Sequence, residues 1–131
     1  MKRYLSRLLA LVLVMAIALI GCSSPSGITG NYTDDTLALV NVLRNAIELP
    51  DNSPDKAALQ AEARQRINDF AARYRRDNSL TTLRSFTTMR TVLNGLAAHY
   101  SSYPNRPLPE KLKNRLEVEL KQVESALRQG L

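Results

Sequence analysis

Four stretches of this chain carry apolar residues three and four positions apart, and the first three end at a proline or at a cluster of Asp, Asn and Ser. That spacing gathers side chains on one face of a helix. The first stretch, Asp34 to Leu49, repeats Leu37, Val40, Leu43 and Ile47, with Asp34 and Asp35 in the first turn, where the helix dipole favours carboxylates. Pro50 stops it, and Asp51-Asn52-Ser53 leads to Pro54, with Ser53 the expected cap of the next helix. The second stretch, Pro54 to Asp77, aligns Leu59, Ala63, Ile67, Phe70 and Tyr74, and Ala57, Ala61, Ala71 and Ala72 broaden that face. Asp77-Asn78-Ser79 breaks the pattern, and Ser79 is the expected cap of the third stretch, which runs to Ser101 through Leu83, Phe86, Met89, Leu93, Leu96 and Tyr100. The fourth begins at Pro109 and runs to Arg128 through Leu112, Leu116, Leu120, Val123 and Leu127.

Short connections force successive helices antiparallel, so the expected fold is all-α, an antiparallel up-down-up-down four-helix bundle over residues 32–131. About 100 residues suffice for one hydrophobic core. The first two stretches differ in length, about 24 Å against 36 Å at helical rise, which predicts a protruding helix end. Pairs four residues apart, such as Glu62/Arg66, Asp69/Arg73, Lys113/Glu117 and Glu124/Arg128, read as solvated outer faces.

Ahead of the bundle, Lys2, Arg3 and Arg7 precede the uninterrupted apolar run Leu8 to Ile20, too short to span a bilayer comfortably. Gly21 then stands beside the sole cysteine, Cys22. Leu19-Ile20-Gly21-Cys22 resembles the lipobox of bacterial lipoprotein precursors, which makes Cys22 the expected lipid attachment site, residues 1–21 a signal peptide that is removed, and 22–31 a lipidated flexible tether. A retained membrane anchor and an ordinary signal cut after Gly21 are the alternatives. Removing the leader takes away its three basic residues and lowers the formal charge from +6 to about +3. Much of the basicity therefore belongs to the leader, and no nucleic-acid partner is expected.

Chemistry-bearing motifs are sparse. There is one histidine, His99, and one cysteine, so neither a Cys/His nucleophilic pair nor a His/Cys zinc site is expected once Cys22 is acylated. His99 reads as a surface or packing residue. No phosphate-cradling glycine loop and no repeated Glu-x-x-His pattern are present. The expectation is a non-enzyme with no cofactor and no metal site.

The ordered residues resemble a known family along nearly the whole bundle: Leu37 to Pro50, LQAEARQRINDFAARYRR from Leu59 to Arg76, SFTTMR from Ser85 to Arg90, Leu93 to Leu96, and HYSSYPNRPLP from His99 to Pro109. They are similar to the lumenal photosystem II assembly-factor lipoproteins, small four-helix proteins of cyanobacteria with plastid relatives. The resemblance implies an accessory protein lipid-anchored on the lumenal side of the thylakoid membrane and monomeric when free. It implies transient binding to immature or damaged photosystem II through a chlorophyll-binding inner antenna subunit, which delays the extrinsic oxygen-evolving subunits and leaves access for manganese-cluster assembly. A general envelope lipoprotein bundle that stabilises another membrane complex is the competing reading.

Two groups of residues have the composition of a partner-binding surface. Arg73, Arg75 and Arg76 end the second helix, and Arg84 and Arg90 continue the charge along the third. Tyr100, Tyr103, Pro104 and Arg106 supply rigid, amphipathic surface beside the proline-rich connection. Travel along the third helix sets the two connections at opposite ends of the bundle, so one broad face and two separate patches are both open.

Overall fold

The computed structural model describes residues 4, 7, 27–50, 52–103 and 107–131. Among the described residues from 27 on, four long helices form, α1 (Tyr32–Glu48), α2 (Lys56–Tyr74), α3 (Arg84–Ser102) and α4 (Glu110–Arg128), and no strand occurs among the described residues. The expected all-α bundle is what forms.

Local chemistry sets the helix ends. Asn31 caps α1, its side chain accepting from the Asp34 amide at 3.2 Å, and the extended backbone of Leu49 before Pro50 closes it. α2 starts two residues later than its stripe suggests. Ser53 accepts from the Asp55 amide at 3.3 Å and so caps the preceding turn rather than the helix. α3 starts at Arg84, not near Ser79, because Ser79 directs both its amide and its hydroxyl to the Asp77 carboxylate. Turns then carry the chain to Leu83 and leave Leu80 and Leu83 packed against the core. Gly130, with φ of 71°, ends α4. Its amide reaches the Leu127 carbonyl and the Leu131 amide reaches Ala126, the paired bonds of a Schellman turn that favours glycine.

These ends make the helices 17, 19, 19 and 19 residues long. At helical rise α1 and α2 differ by only about 3 Å, so the length difference behind the expected protruding end is absent. It vanishes because Pro54 and Asp55 stay in the first turn and Arg75 to Asp77 leave the helix.

The core runs through all four helices: Leu39, Val40, Leu43 and Ile47 of α1, Phe70 and Tyr74 of α2, Phe86, Met89, Val92 and Leu96 of α3, and Leu116, Leu120 and Val123 of α4. Each such aliphatic or aromatic side chain contributes about 1.5–3 kcal/mol by leaving water. The α1 stripe is rotated from the expected one, since Leu39 is buried while Leu37 is exposed. Ala57, Ala61 and Ala72 are also exposed, so the face of α2 is narrower than expected. α1 packs closely on α2 and α4, and α3 on α4, but α2 and α3 make no comparable contact.

One cross-helix clamp joins α1 to α4. Arg44 Nε donates to both oxygens of Glu117, at 3.0 and 3.1 Å, and its Nη1 donates to Glu124 at 2.9 Å. Glu117 and Glu124 therefore face a partner on another helix, not the lysine and arginine neighbours that helical spacing offers. The Arg44 bond holds the Glu124 carboxyl below its ordinary range, against the opposing effect of burial.

Candidate partner-binding surfaces

One end of the bundle is defined by bonds between elements. Tyr74, at the end of α2, donates its hydroxyl to Asp35 at the start of α1. The Tyr32 hydroxyl lies 2.9 Å from Ser85 Oγ at the start of α3, and the Ser85 amide reaches the main-chain oxygen of Leu131 beyond α4. One end thus gathers the beginnings of α1 and α3 with the ends of α2 and α4. The other carries the end of α3 and the proline-rich connection.

At the first end Asp35 is 3% exposed yet fully engaged. Besides Tyr74, it accepts from the Thr29 amide and hydroxyl, both at 2.8 Å, and from the Gly30 amide at 3.1 Å. Burial pushes its carboxyl up, but these four donors outweigh burial and hold it below the ordinary carboxylate range. Burial and the adjacent Asp35 carboxylate both push the Tyr74 hydroxyl well above its usual range. Tyr32, Phe70 and Tyr74 stack beside the bond, with ring centroids 5.0 to 6.3 Å apart. This polar latch ties residues 29–30 to the bundle.

Arg73, Arg75, Arg76 and Arg84 are exposed at the latch end. Arg73 lies 5.3 Å from the centroid of the Tyr74 ring, a cation–π distance. Arg90 is exposed further along α3, so it stands apart from the other four. At the opposite end Tyr103 is half exposed and Tyr100 half buried. Buried His99 packs between their rings, with centroids 5.6 and 5.7 Å away, which makes it a packing residue. Cys22, Pro104 and Arg106 lie outside the described residues. The seven expected site residues that are described form no single cluster: four arginines share one end and two tyrosines the other.

Sequence reasoning missed Asp35 as more than a helix starter and missed Arg44 altogether. Asp35 did carry a signal, because it shares a helix face with Leu39 and Leu43 at four-residue spacing. No group of three His, Cys, Asp or Glu residues able to hold a metal ion occurs among the described residues. No helix among them is long and apolar enough to cross a membrane.

A model of the Photosystem II Pbs27 family matches residues 7–127. The chain belongs to that family. Among Pbs27 relatives, it is 61% identical over 128 residues to the photosystem II assembly factor lipoprotein Psb27 of Thermosynechococcus vestitus, covering 97% of this chain and 96% of that protein. It is 33% identical over 100 residues to the chloroplastic photosystem II repair protein PSB27-H1 of Arabidopsis thaliana, covering 76% of this chain and 58% of that one. The solution structure of Psb27 from cyanobacterial photosystem II superposes with a TM-score of 0.76 at 49% identity, covering 84% of this chain and 96% of that one. The four-helix bundle is thus the architecture of the Pbs27 family.

Proposed function

We propose that this chain is a non-catalytic photosystem II assembly and repair factor. It binds the lumenal face of immature photosystem II transiently, through a chlorophyll-binding inner antenna subunit, and holds it ready for assembly of the oxygen-evolving cluster. The observation that carries the reading is the 61% identity, across nearly both full lengths, to a protein named as a photosystem II assembly factor lipoprotein. In this reading Cys22 carries the lipid, residues 22–31 tether the bundle to the lumenal side of the thylakoid membrane, and the free protein is a monomer. Anchoring raises the local concentration at the membrane surface, so modest contacts suffice for a transient complex.

The partner contacts divide between the two ends. Arg73, Arg75, Arg76 and Arg84 are exposed and suit acidic surface, since guanidinium groups clamp carboxylates with fixed geometry. Arg90 extends that charge along α3. At the other end Tyr103 is 50% exposed, the amphipathic surface expected of an interface anchor, and Tyr100, Pro104 and Arg106, its neighbours in sequence, are assigned to the same contact. The deciding experiment is membrane fractionation followed by affinity purification of the tagged protein. Photosystem II subunits lacking the extrinsic oxygen-evolving proteins should co-purify from thylakoid membranes. Recovery from the cell envelope with a different complex would overturn the reading.

A further inference from the structure

Where α2 and α3 fail to close, the bundle holds an open apolar cavity of about 350 Å³ between α1, α2 and α3. Buried Leu43, Ile47, Ala63 and Leu96 line it, with half-buried Ile67 and Leu93. Its volume falls at the lower end of sites that enclose small molecules. Small side chains leave the space open: Ala46, Ala63 and Ala97 stand where larger residues would fill it.

The shape of the cavity restricts its occupant. Its lining extends from Gln60 to Asn68 on α2 and from Leu93 to Ser101 on α3. Both spans are about 12 Å at helical rise, so the cavity is a trough about that long running between the two helices. That accepts one extended aliphatic chain. A docking helix is about 10 Å across with its side chains and would insert only single residues.

The charge at the rim restricts the head of the occupant. Arg64 is the cavity's one charged lining residue, is exposed, and has no carboxylate partner among the described residues. Gln60, Asn68 and Ser101 complete a polar rim. A small adjoining cleft shares Ala46, Ile47, Gln60 and Tyr100 and adds Lys56 and Lys113. No acidic side chain lines either space among the described residues.

We infer that this cavity binds a single aliphatic chain ending in an anionic group. The chain lies between α2 and α3, and the Arg64 guanidinium takes the head with charge-assisted hydrogen bonds. A free fatty acid and one chain of an anionic membrane lipid share this chemistry. The site is independent of photosystem II docking, so its failure would leave that reading intact.

The test uses the full-length chain on phosphatidylcholine nanodiscs, with labelled Ile and Leu methyl groups followed by NMR. Titration with decanoate should give saturable shifts at Ile67, Leu93 and Leu96, and decyl maltoside should bind more weakly. Arg64→Gln should weaken decanoate about three- to tenfold while leaving the maltoside unchanged. Ala97→Phe, at an exposed position, should abolish both without altering helicity or the unfolding midpoint. In a second arm, phosphatidylglycerol is added to the nanodiscs in place of decanoate. The same shifts there identify a membrane lipid as the source, and shifts with decanoate alone identify a free fatty acid. Absence of saturable shifts in both arms, equal binding of maltoside and decanoate, or native binding by Ala97→Phe would each overturn the inference.

Discussion

Asp35→Ala should be among the most damaging single substitutions outside the apolar core. It removes the acceptor of four hydrogen bonds, but the donors do not suffer equally. Thr29 and Gly30 are exposed and recover water, whereas the Tyr74 side chain, 2% exposed, is left with a buried hydroxyl and no acceptor. An orphaned buried hydroxyl costs about 1–3 kcal/mol, and loss of a carboxylate in the first helical turn adds about 0.3–1 kcal/mol. The expected total is about 1–4 kcal/mol, a fall of roughly 5–30 °C in melting temperature for a domain of this size. Tyr74→Phe keeps three of the four donors to Asp35 and should cost less. In the double variant neither orphan exists, so the two losses should fail to add by about 1–2 kcal/mol. Urea unfolding followed by far-UV circular dichroism measures all three. Coupling below about 0.5 kcal/mol would refute the latch. Acid supplies a second readout. Because the folded carboxyl lies below the ordinary value of 3.8, its contribution is fully present above that value and is lost as pH falls through the depressed one. Asp35→Asn should therefore flatten the loss of stability below pH 4.

Arg44→Gln should lower stability by about 1–2 kcal/mol, because it breaks a clamp between α1 and α4 whose side chains are only 23–28% exposed, and urea unfolding checks it. The loss should shrink in Arg44→Gln made together with Glu117→Gln and Glu124→Gln, since no carboxylate is then stranded. Cys22→Ser should abolish incorporation of labelled fatty acid and release or misprocess the protein; continued labelling of the serine variant would place the lipid elsewhere.

The parts of the fold legible in the sequence are those that one helix decides alone. Leu116, Leu120 and Val123 are buried as their spacing demands, and Pro50 ends α1 where its ring forbids continuation. The reading fails where a residue's partner is distant in sequence. Helical spacing assigns Glu117 to Lys113, but its hydrogen bonds come from Arg44 on α1. Asp35 looks like a dipole partner until Tyr74 is brought against it, 39 residues away. Ser79 has the chemistry of a cap and is drawn instead to Asp77, two residues before it. The candidate site suffers most, because patches assembled from helix ends depend on which ends meet. The antiparallel path of α3 sets the two connections at opposite ends but leaves one broad face and two patches open, and only the fold places exposed Arg73, Arg75, Arg76 and Arg84 at one end and Tyr103 at the other.

The latch also gives the bundle a direction relative to a lipid on Cys22. Residues 29–30 are bonded to Asp35, so the chain enters the bundle at the end that carries Arg73, Arg75, Arg76 and Arg84. From Cys22 to Thr29, the first residue bonded to Asp35, an extended chain spans at most about 25 Å. A bundle anchored through Cys22 therefore keeps its arginine end within about that reach of the membrane. α3, 19 residues long, carries Tyr103 about 29 Å further away when it stands upright. The arginines are then placed to meet surface close to the bilayer, and Tyr103 to meet a partner that projects well beyond it. Fluorescence transfer from a membrane dye to a label at exposed Asn78, compared with one at exposed Ser102, measures this directly. Transfer should be stronger at Asn78, and Asp35→Ala should narrow the difference by freeing the tether. Stronger transfer at Ser102 would show that the bundle stands the other way up, and the assignment of near and far contacts would reverse with it.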